Sequence, residues 1–393
     1  MTESFIRNFQ STYTPEGLWK FHNPVSVHFG RGIRAQLGDS LEEKRCLIVC
    51  SARGRIQFES DSVLLPILLR NQVTWIDTVR ENPSVEDIQY CINDHKNNSP
   101  DCIVAFGGGS AIDTAKVLAL TLAGTNQNRN IRSLLSEPRL YAEIDPIPLF
   151  AVPTTAGTGS EVTPFATVWD HKSKKKHSIS GKSIFPQAAF VDPQLTDNLP
   201  ANVTLSTGLD AFNQAAESIW NRNANPITIA YGTRAFQLAF YALPRLLSGR
   251  ADVRERDQMS EASLLAGLAI SHTKTALCHS ISYPITAHFG VPHGLACAFS
   301  MVPVLDRSLL NDDGRFTALA DSLFGVNDAD MLKAAVKEFN KSLNVRDKVA
   351  SKVGEVEQLL SIKEEMFTKD RAGNAIIDEI DIDEILIEAW NSD

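Results

Sequence analysis

The sequence predicts an α/β amino-terminal domain built on a mostly parallel sheet, followed by an all-α carboxy-terminal domain. Three observations predict it. Up to about residue 192, short apolar runs alternate with segments of helical period, the pattern of strand–helix units. From Asn202 onward the chain reads as long helices with short breaks and no strand-like run. Two turns rich in Gly and Thr each follow an apolar run, and open α/β sheets place their ligand sites at such strand ends. The change of character at Val191–Asp192–Pro193 divides the chain into domains 1–192 and 193–393.

Each element has its own signal. Val25–Phe29 alternates as a half-buried strand does and runs into Gly30. Arg45–Cys50, Gln72–Ile76, Asp101–Phe106 and Pro148–Val152 are short apolar runs of the kind found in buried parallel strands. Helical patterns at Val85–Asn97 and Ser110–Ala123 lie between them. Beyond the boundary, Pro226–Leu247, Arg254–Ile270, Met331–Leu343 and Val353–Met366 read as helices. The run Lys174–Lys175–Lys176 reads as an exposed charged loop.

Bulk composition narrows the function. With 43% hydrophobic and 22% charged residues, the 393-residue chain is a folded globular protein and not a disordered one. Its 38 Lys and Arg against 47 Asp and Glu leave a net charge of −9, which excludes general electrostatic binding of nucleic acid. No apolar run approaches the ~18 residues of a membrane span; Val117–Ala123 is short and interrupted by Thr121. MTESFIRNFQ lacks the apolar centre of a secretory leader. The six cysteines form no CxxC pair, so buried free thiols in a reducing cytoplasm are expected.

Gly107–Gly108–Gly109–Ser110 follows one strand and opens a helix. Such a turn lets backbone approach a pyrophosphate, which the helix N-terminus then favours. A tight turn without a ligand explains the same residues, and the pattern is not GxGxxG. Ser110 and Asp113 fit a capping box. The second turn, Pro153–Thr163, carries two glycines and five hydroxyl side chains. Asp210 and Gln214 share one face of a helix, and His279 and His293 lie fourteen apart. One carboxylate and two imidazoles suit Zn²⁺ or Fe²⁺, with Gln214 as a weaker oxygen donor. Spacing alone favours a plainer account, in which Asp210 caps a turn and the histidines lie in the core.

FGRG at 29–32, GGGSAIDTAK at 107–116, PTTAGTGSEVT at 153–163, VDPQLT at 191–196, TGLDA at 207–211 and VPHGLACA at 291–298 together resemble the iron-containing, group III alcohol dehydrogenases. The resemblance covers nearly the whole chain. It implies a dehydroquinate synthase-like fold, with a dinucleotide-binding domain facing a helical metal-binding domain. It implies that Gly107, Gly108, Gly109, Ser110 and Asp113 belong to the coenzyme site and that Thr154, Thr155 and Thr158 line the nicotinamide side. It implies that Asp210, Gln214, His279 and His293 hold Fe²⁺ or Zn²⁺, weakened because Gln214 stands where the family has His. Tyr283 stands where many members have a proton-relaying His, so Tyr283 or His288 is expected to fill that role. WKFHNPVSVHFGRG at 19–32, ESIWNRNANP at 217–226 and KTALCHSISYP at 274–284 are similar to the phosphonoacetaldehyde-reducing branch of the family.

Ser51 stands where many members have the acidic residue that bonds the ribose, and Arg53 and Arg55 follow. Ser with Arg accommodates a 2′-phosphate, so NADPH is expected, with NADH as the alternative. A small anionic aldehyde needs cationic anchors; Lys274 is the first choice, with His272, Lys182, Lys176 and His177 as others. An uncharged aldehyde, or a non-catalytic nucleotide-binding role, remains open at this level. So does the assembly, for which the resemblance allows a homodimer.

Overall fold

Among the described residues, 17–123, 130–142, 144–249 and 252–392 of the computed structural model, eight strands form two sheets. The strands are β1 (Ser26–Phe29), β2 (Arg45–Val49), β3 (Gln72–Ile76), β4 (Cys102–Gly107), β5 (Leu149–Pro153), β6 (Phe165–Asp170), β7 (Lys175–Ser180) and β8 (Ala188–Val191). The first ten residues, read above for a leader, lie outside the described set. Six strands pair in parallel in the order β1-β8-β5-β4-β2-β3, and β6 and β7 form a separate antiparallel hairpin.

The central strands are buried on both faces, which is why they read as continuous apolar runs. Along β4 the period of two is plain: Ile103 and Ala105 pack into one hydrophobic cluster, and Cys102, Val104 and Phe106 into another. Helices α1 (Ala52–Ser60), α2 (Val85–His95) and α3 (Gly109–Thr121) cover the sheet. In register, Gly107 of β4 faces Pro153 of β5, and Thr154 N–H donates to Gly107 O at 3.0 Å. The two turns singled out in the sequence therefore stand side by side.

The second half is helical. Its first helices are α4 (Ala201–Ile219), α5 (Pro226–Leu247), α6 (Val253–Thr273), α7 (Leu277–Phe289) and α8 (His293–Phe299). Asn225 starts α5 with a capping box and Pro226 at the first helical position. Phe212, Phe236 and Phe339 form the aromatic centre of this half, with ring centroids 4.4 Å apart in both pairs made by Phe212. Gly294 lets α8 lie directly on α4, because a Cβ there would strike the backbone of Ser206 and Asp210.

Three expectations are corrected, and one parallel strand went unread. The Lys174–Lys176 segment is not a loop: it enters strand β7, whose polar alternation carries no apolar signature. The strand β8, four small or apolar residues between two turns, was too short to read. The segment 353–366 is not one helix; Gly354, at φ 94°, ends one helix, and a short helix Val356–Leu360 and a 3-10 turn follow. Ser110 and Asp113 do not make a capping box, since α3 begins at Gly109 with Gly108 as its cap residue. All six cysteines are buried and free, and no described helix is long and apolar enough to cross a membrane.

Candidate active site

A cleft of about 1630 Å³ runs from the strand ends of the sheet to the helical half. At one end lies the first turn. Gly107 adopts φ 157°, and a side chain there would collide with Ala111. Gly108 supplies no side-chain cap, so the first amides of α3 face the cleft, where the helix end favours negative charge. A Cβ on Gly109 would lie 2.7 Å from Thr158, and one on Gly108 3.0 Å from Thr155. The glycines thus permit the close approach of the second turn.

Behind the turns, Asp113 accepts from Ser160 Oγ and, at 2.8 Å, from Thr167 N–H. Lys116 is fully buried and donates to Thr163 O at 2.9 Å, Phe165 O at 2.8 Å and Ser160 Oγ at 3.1 Å. These two motif residues fasten the second turn and the start of β6 to α3. Burial lowers the Lys116 amino group to about 8, against the pull of Asp113 and Glu161, and burial raises the Glu161 carboxyl to about 7. Ser51 caps α1, accepting from Gly54 N–H at 3.1 Å. Arg53 lines the cleft, with no ion pair among the described residues. Arg55 turns away to Glu59 and Asp77, each at 2.9 Å.

At the other end, α4 presents Asp210, Gln214 and Glu217 on one face. Glu217 is fully buried. It accepts from Ala276 N–H at 2.7 Å and also from the Cys278 and His279 N–H groups, so it caps α7 from another helix. The same carboxylate accepts His279 Nδ1–H at 2.7 Å, which turns Nε2 toward Asp210 Oδ1 at 3.2 Å. Ser282 Oγ lies 3.3 Å from His293 Nδ1 and gives its own proton to His279 O. It thereby accepts from His293 and leaves Nε2 free, 3.9 Å from Asp210 Oδ1.

The donor set suits a divalent cation. Despite burial, His279 is raised well above the ordinary range by Cys297, Glu217 and Asp210, so this position favours positive charge. A divalent cation held by Asp210 and His279 would supply that charge. Burial, aided by Lys176 and the other nearby cations, holds His293 at about 3, hence neutral and ready to coordinate. Cys297 completes a group whose donor atoms all lie within 4.8 Å of one another. Gln214 Nε2 donates to Asp210 Oδ1 at 3.0 Å, and its Oε1 is buried without a hydrogen-bond partner.

Beside this group stands Tyr283, its ring stacked on His293 at 12°. Lys176 Nζ lies 3.7 Å and Arg371 Cζ 4.6 Å from the ring centroid. Arg371 also donates to Ser178 Oγ at 3.1 Å. Lys176, Ser178 and Ser180 point into the cleft, as alternation along β7 requires, and His177 does not. Burial works against the charged form of Tyr283, yet Arg371 and Lys176 bring the phenol below its ordinary range.

The structure gathers most of the expected residues. Ser51, Arg53, the Gly107–Ser110 turn, Asp113, Thr154, Thr155 and Thr158 line the coenzyme end, and Asp210, Gln214, Lys274, His279, Tyr283 and His293 the other. Four expected residues stand elsewhere, His177 above among them. His272 is stacked on Phe21 at 4.2 Å and bonded to the backbone of His22, away from the cleft. His288 pairs with Glu365 at 3.1 Å outside it, so Tyr283 alone fits the relay position. Lys182 also lies outside the cleft lining. Sequence reasoning missed Glu217, Cys297 and Arg371. Glu217 follows Asp210 by seven residues and Cys297 follows His293 by four, so helical spacing held a signal for both.

Comparison with known proteins gives one answer. Residues 24–193 match the family described as iron-containing alcohol dehydrogenase, and residues 204–386 match the C-terminal part of the same family. The NAD-dependent methanol dehydrogenase of Bacillus methanolicus is 31% identical over 81% of this chain and 83% of its own. The phosphonoacetaldehyde reductase of Streptomyces viridochromogenes is 37% identical over 51% of each chain. The crystal structure of sulfoacetaldehyde reductase from Bifidobacterium kashiwanohense in complex with NAD⁺ superposes with a TM-score of 0.84, at 28% identity, over 96% of this chain and all of that one.

Proposed function

The chain belongs to the iron-containing alcohol dehydrogenase family, and on that premise we propose that it reduces phosphonoacetaldehyde to 2-hydroxyethylphosphonate with NADPH. The observation that carries the substrate class is the pair Lys176 and Arg371 beside Tyr283, next to the metal donors. Two cations within one cleft repel, and each keeps unused donors. A phosphonate relieves the repulsion and accepts charge-assisted bonds from both. Lys274, exposed on the same cleft, adds a third positive charge. The likeness to a phosphonoacetaldehyde reductase and to a sulfoacetaldehyde reductase, both named for small anionic aldehydes, points the same way.

When bound, the nicotinamide supplies the hydride, and the divalent metal supplies a Lewis acid for the carbonyl oxygen. The chain's own residues do the rest. The Gly107–Ser110 turn and the start of α3 hold the pyrophosphate. Thr154, Thr155 and Thr158 close the reactive end of the coenzyme against water. Lys176 and Arg371 fix the anionic head of the substrate, which orients the aldehyde at the other end. Tyr283 Oη delivers the proton that the new alcohol requires, and Arg371 and Lys176, against the effect of burial, hold the phenol below its ordinary range, which eases that transfer. Arg53, unpaired at the coenzyme end, supports NADPH over NADH by offering a bidentate partner to a 2′-phosphate.

One observation favours a second reading, in which the substrate is an uncharged aldehyde: the methanol dehydrogenase matches over the greater share of the chain. Values of kcat/KM for phosphonoacetaldehyde and butanal, each with NADPH and NADH, decide between them. The phosphonate reading expects a strong preference for the anionic aldehyde, and equal values overturn it.

A further inference from the structure

We propose that Cys297, and not Gln214, is the fourth protein donor to the metal, which makes this a sulfur-bearing site. The inference rests on the metal reading above and is independent of the aldehyde.

Three observations carry it. First, Cys297 follows His293 by one helical turn on α8, and its Sγ lies 3.8 Å from His293 Nε2. With Asp210 and His279 it forms a set of donor atoms all within 4.8 Å of one another. Bonds of about 2.0 Å to nitrogen and oxygen and about 2.3 Å to sulfur give a tetrahedron with edges of roughly 3.3–3.5 Å. The set reaches it when its longest separations close by about 1 Å. Second, the supports of the set point inward. Glu217 holds His279 Nδ1, Ser282 holds His293 Nδ1, and Gln214 Nε2 holds Asp210 Oδ1. Gln214 orients Asp210 through an amide nitrogen that has no lone pair to give, while its Oε1 is buried without a hydrogen-bond partner, so the Gln214→Ala arm below decides whether that oxygen also reaches the ion. Third, Cys297 is fully buried, and its sulfur contacts the polar groups of the donor set and their support: the His293 ring, His279 and Ser282.

On metal binding the Sγ–H bond is exchanged for an Sγ–metal bond and the proton leaves to solvent. A thiolate shifts selectivity toward Zn²⁺ and Co²⁺ relative to hard cations such as Mg²⁺ or Mn²⁺. An ion held by four protein donors must expand its coordination to take part in turnover, as zinc does in some transition states.

The test uses the full-length protein stripped of metal and titrated with Co²⁺. Bound Co²⁺ with a near-ultraviolet thiolate-to-cobalt charge-transfer band is the expected result. The band is lost in Cys297→Ser and retained in Gln214→Ala. Chelator competition should show Cys297→Ser weakening Zn²⁺ binding by about a hundredfold, the upper end of what even a supporting residue costs, with much less effect on Mn²⁺. Thermal melting and coenzyme-fluorescence titration verify that the variants fold. If Cys297→Ser does not fold, the wild-type spectrum decides. Co²⁺ bound without the band overturns the proposal, as does a band that survives in Cys297→Ser or vanishes in Gln214→Ala. Failure of the wild type to bind Co²⁺ at all overturns the metal reading on which it rests.

Discussion

Glu217 and His279 share a hydrogen bond of 2.7 Å, and the Glu217 carboxylate simultaneously caps the helix on which His279 rides. One buried side chain on α4 therefore sets where α7 begins, which nitrogen of His279 carries its proton, and where the free nitrogen points. A carboxylate–histidine pair of this kind fixes the ring and raises its basicity toward a metal.

Glu217→Gln should expose this coupling. The amide places N–H groups against backbone N–H groups and leaves a buried donor unpaired. We expect a loss of about 3 kcal/mol in urea unfolding, the range for breaking a buried charged network, and a fall in metal affinity of about 10–100-fold. Unchanged metal affinity would show that Glu217 serves the helix alone.

Lys176→Ala and Arg371→Ala should each lower kcat/KM for phosphonoacetaldehyde about 10–100-fold, the equivalent of one charged hydrogen bond. Steady-state kinetics with butanal should change by less than about threefold in the same variants. A parallel loss with both substrates would assign the two cations to the cleft's architecture.

Gly294→Ala inserts a methyl group where α8 rests on the backbone of α4. Overpacking of this kind costs about 1–3 kcal/mol, occasionally more. Because His293 and Asp210 flank the contact, metal stoichiometry by elemental analysis should fall along with the unfolding midpoint. A variant that keeps full metal content would show that the two helices separate without disturbing the donors.

The Glu161 carboxyl, raised by burial from 4.5 to about 7, makes stability depend on pH. Between those values the folded chain keeps a proton that the unfolded chain has lost. The group's contribution is complete below pH 4.5 and disappears as the pH rises through 7. Glu161→Gln removes the dependence, so relative to wild type it should gain about 3 kcal/mol between pH 4.5 and 8 in urea unfolding. No relative gain would mean that Lys116 keeps Glu161 ionised.

Arg53→Ala should reduce kcat/KM for NADPH about tenfold or more, as loss of a charge-assisted phosphate contact does, and leave NADH unaffected. Equal effects on both coenzymes would remove Arg53 from phosphate recognition.

Much of this was legible in the sequence, for identifiable reasons. Three of the six parallel strands, β2, β4 and β5, announce themselves because burial on both faces demands unbroken apolar runs, and β1 and β3 do so by partly exposed patterns. The coenzyme turns are visible because glycine is needed where Thr155 and Thr158 press against backbone. The β6–β7 hairpin was not legible: Lys176 sits in a run of lysines, and only the pleat distinguishes it from its exposed neighbours. Arg371 was not legible either, since it reaches the cleft from a short helix, Lys369–Ala372, far along the chain. Glu217 and Cys297 each stood one or two helical turns from a recognised residue, but nothing in composition marks a lone Glu or Cys as facing inward.

The hairpin has a further consequence. Lys176 belongs to the sheet-bearing half and Arg371 to the helical half, yet both touch the same tyrosine. An oxyanion clasped by the two is a staple across the mouth of the enzyme, and the alcohol product keeps that staple intact. On the proposed phosphonate reading, escape of the charged product would then limit turnover, while a neutral product would leave through an unlatched door.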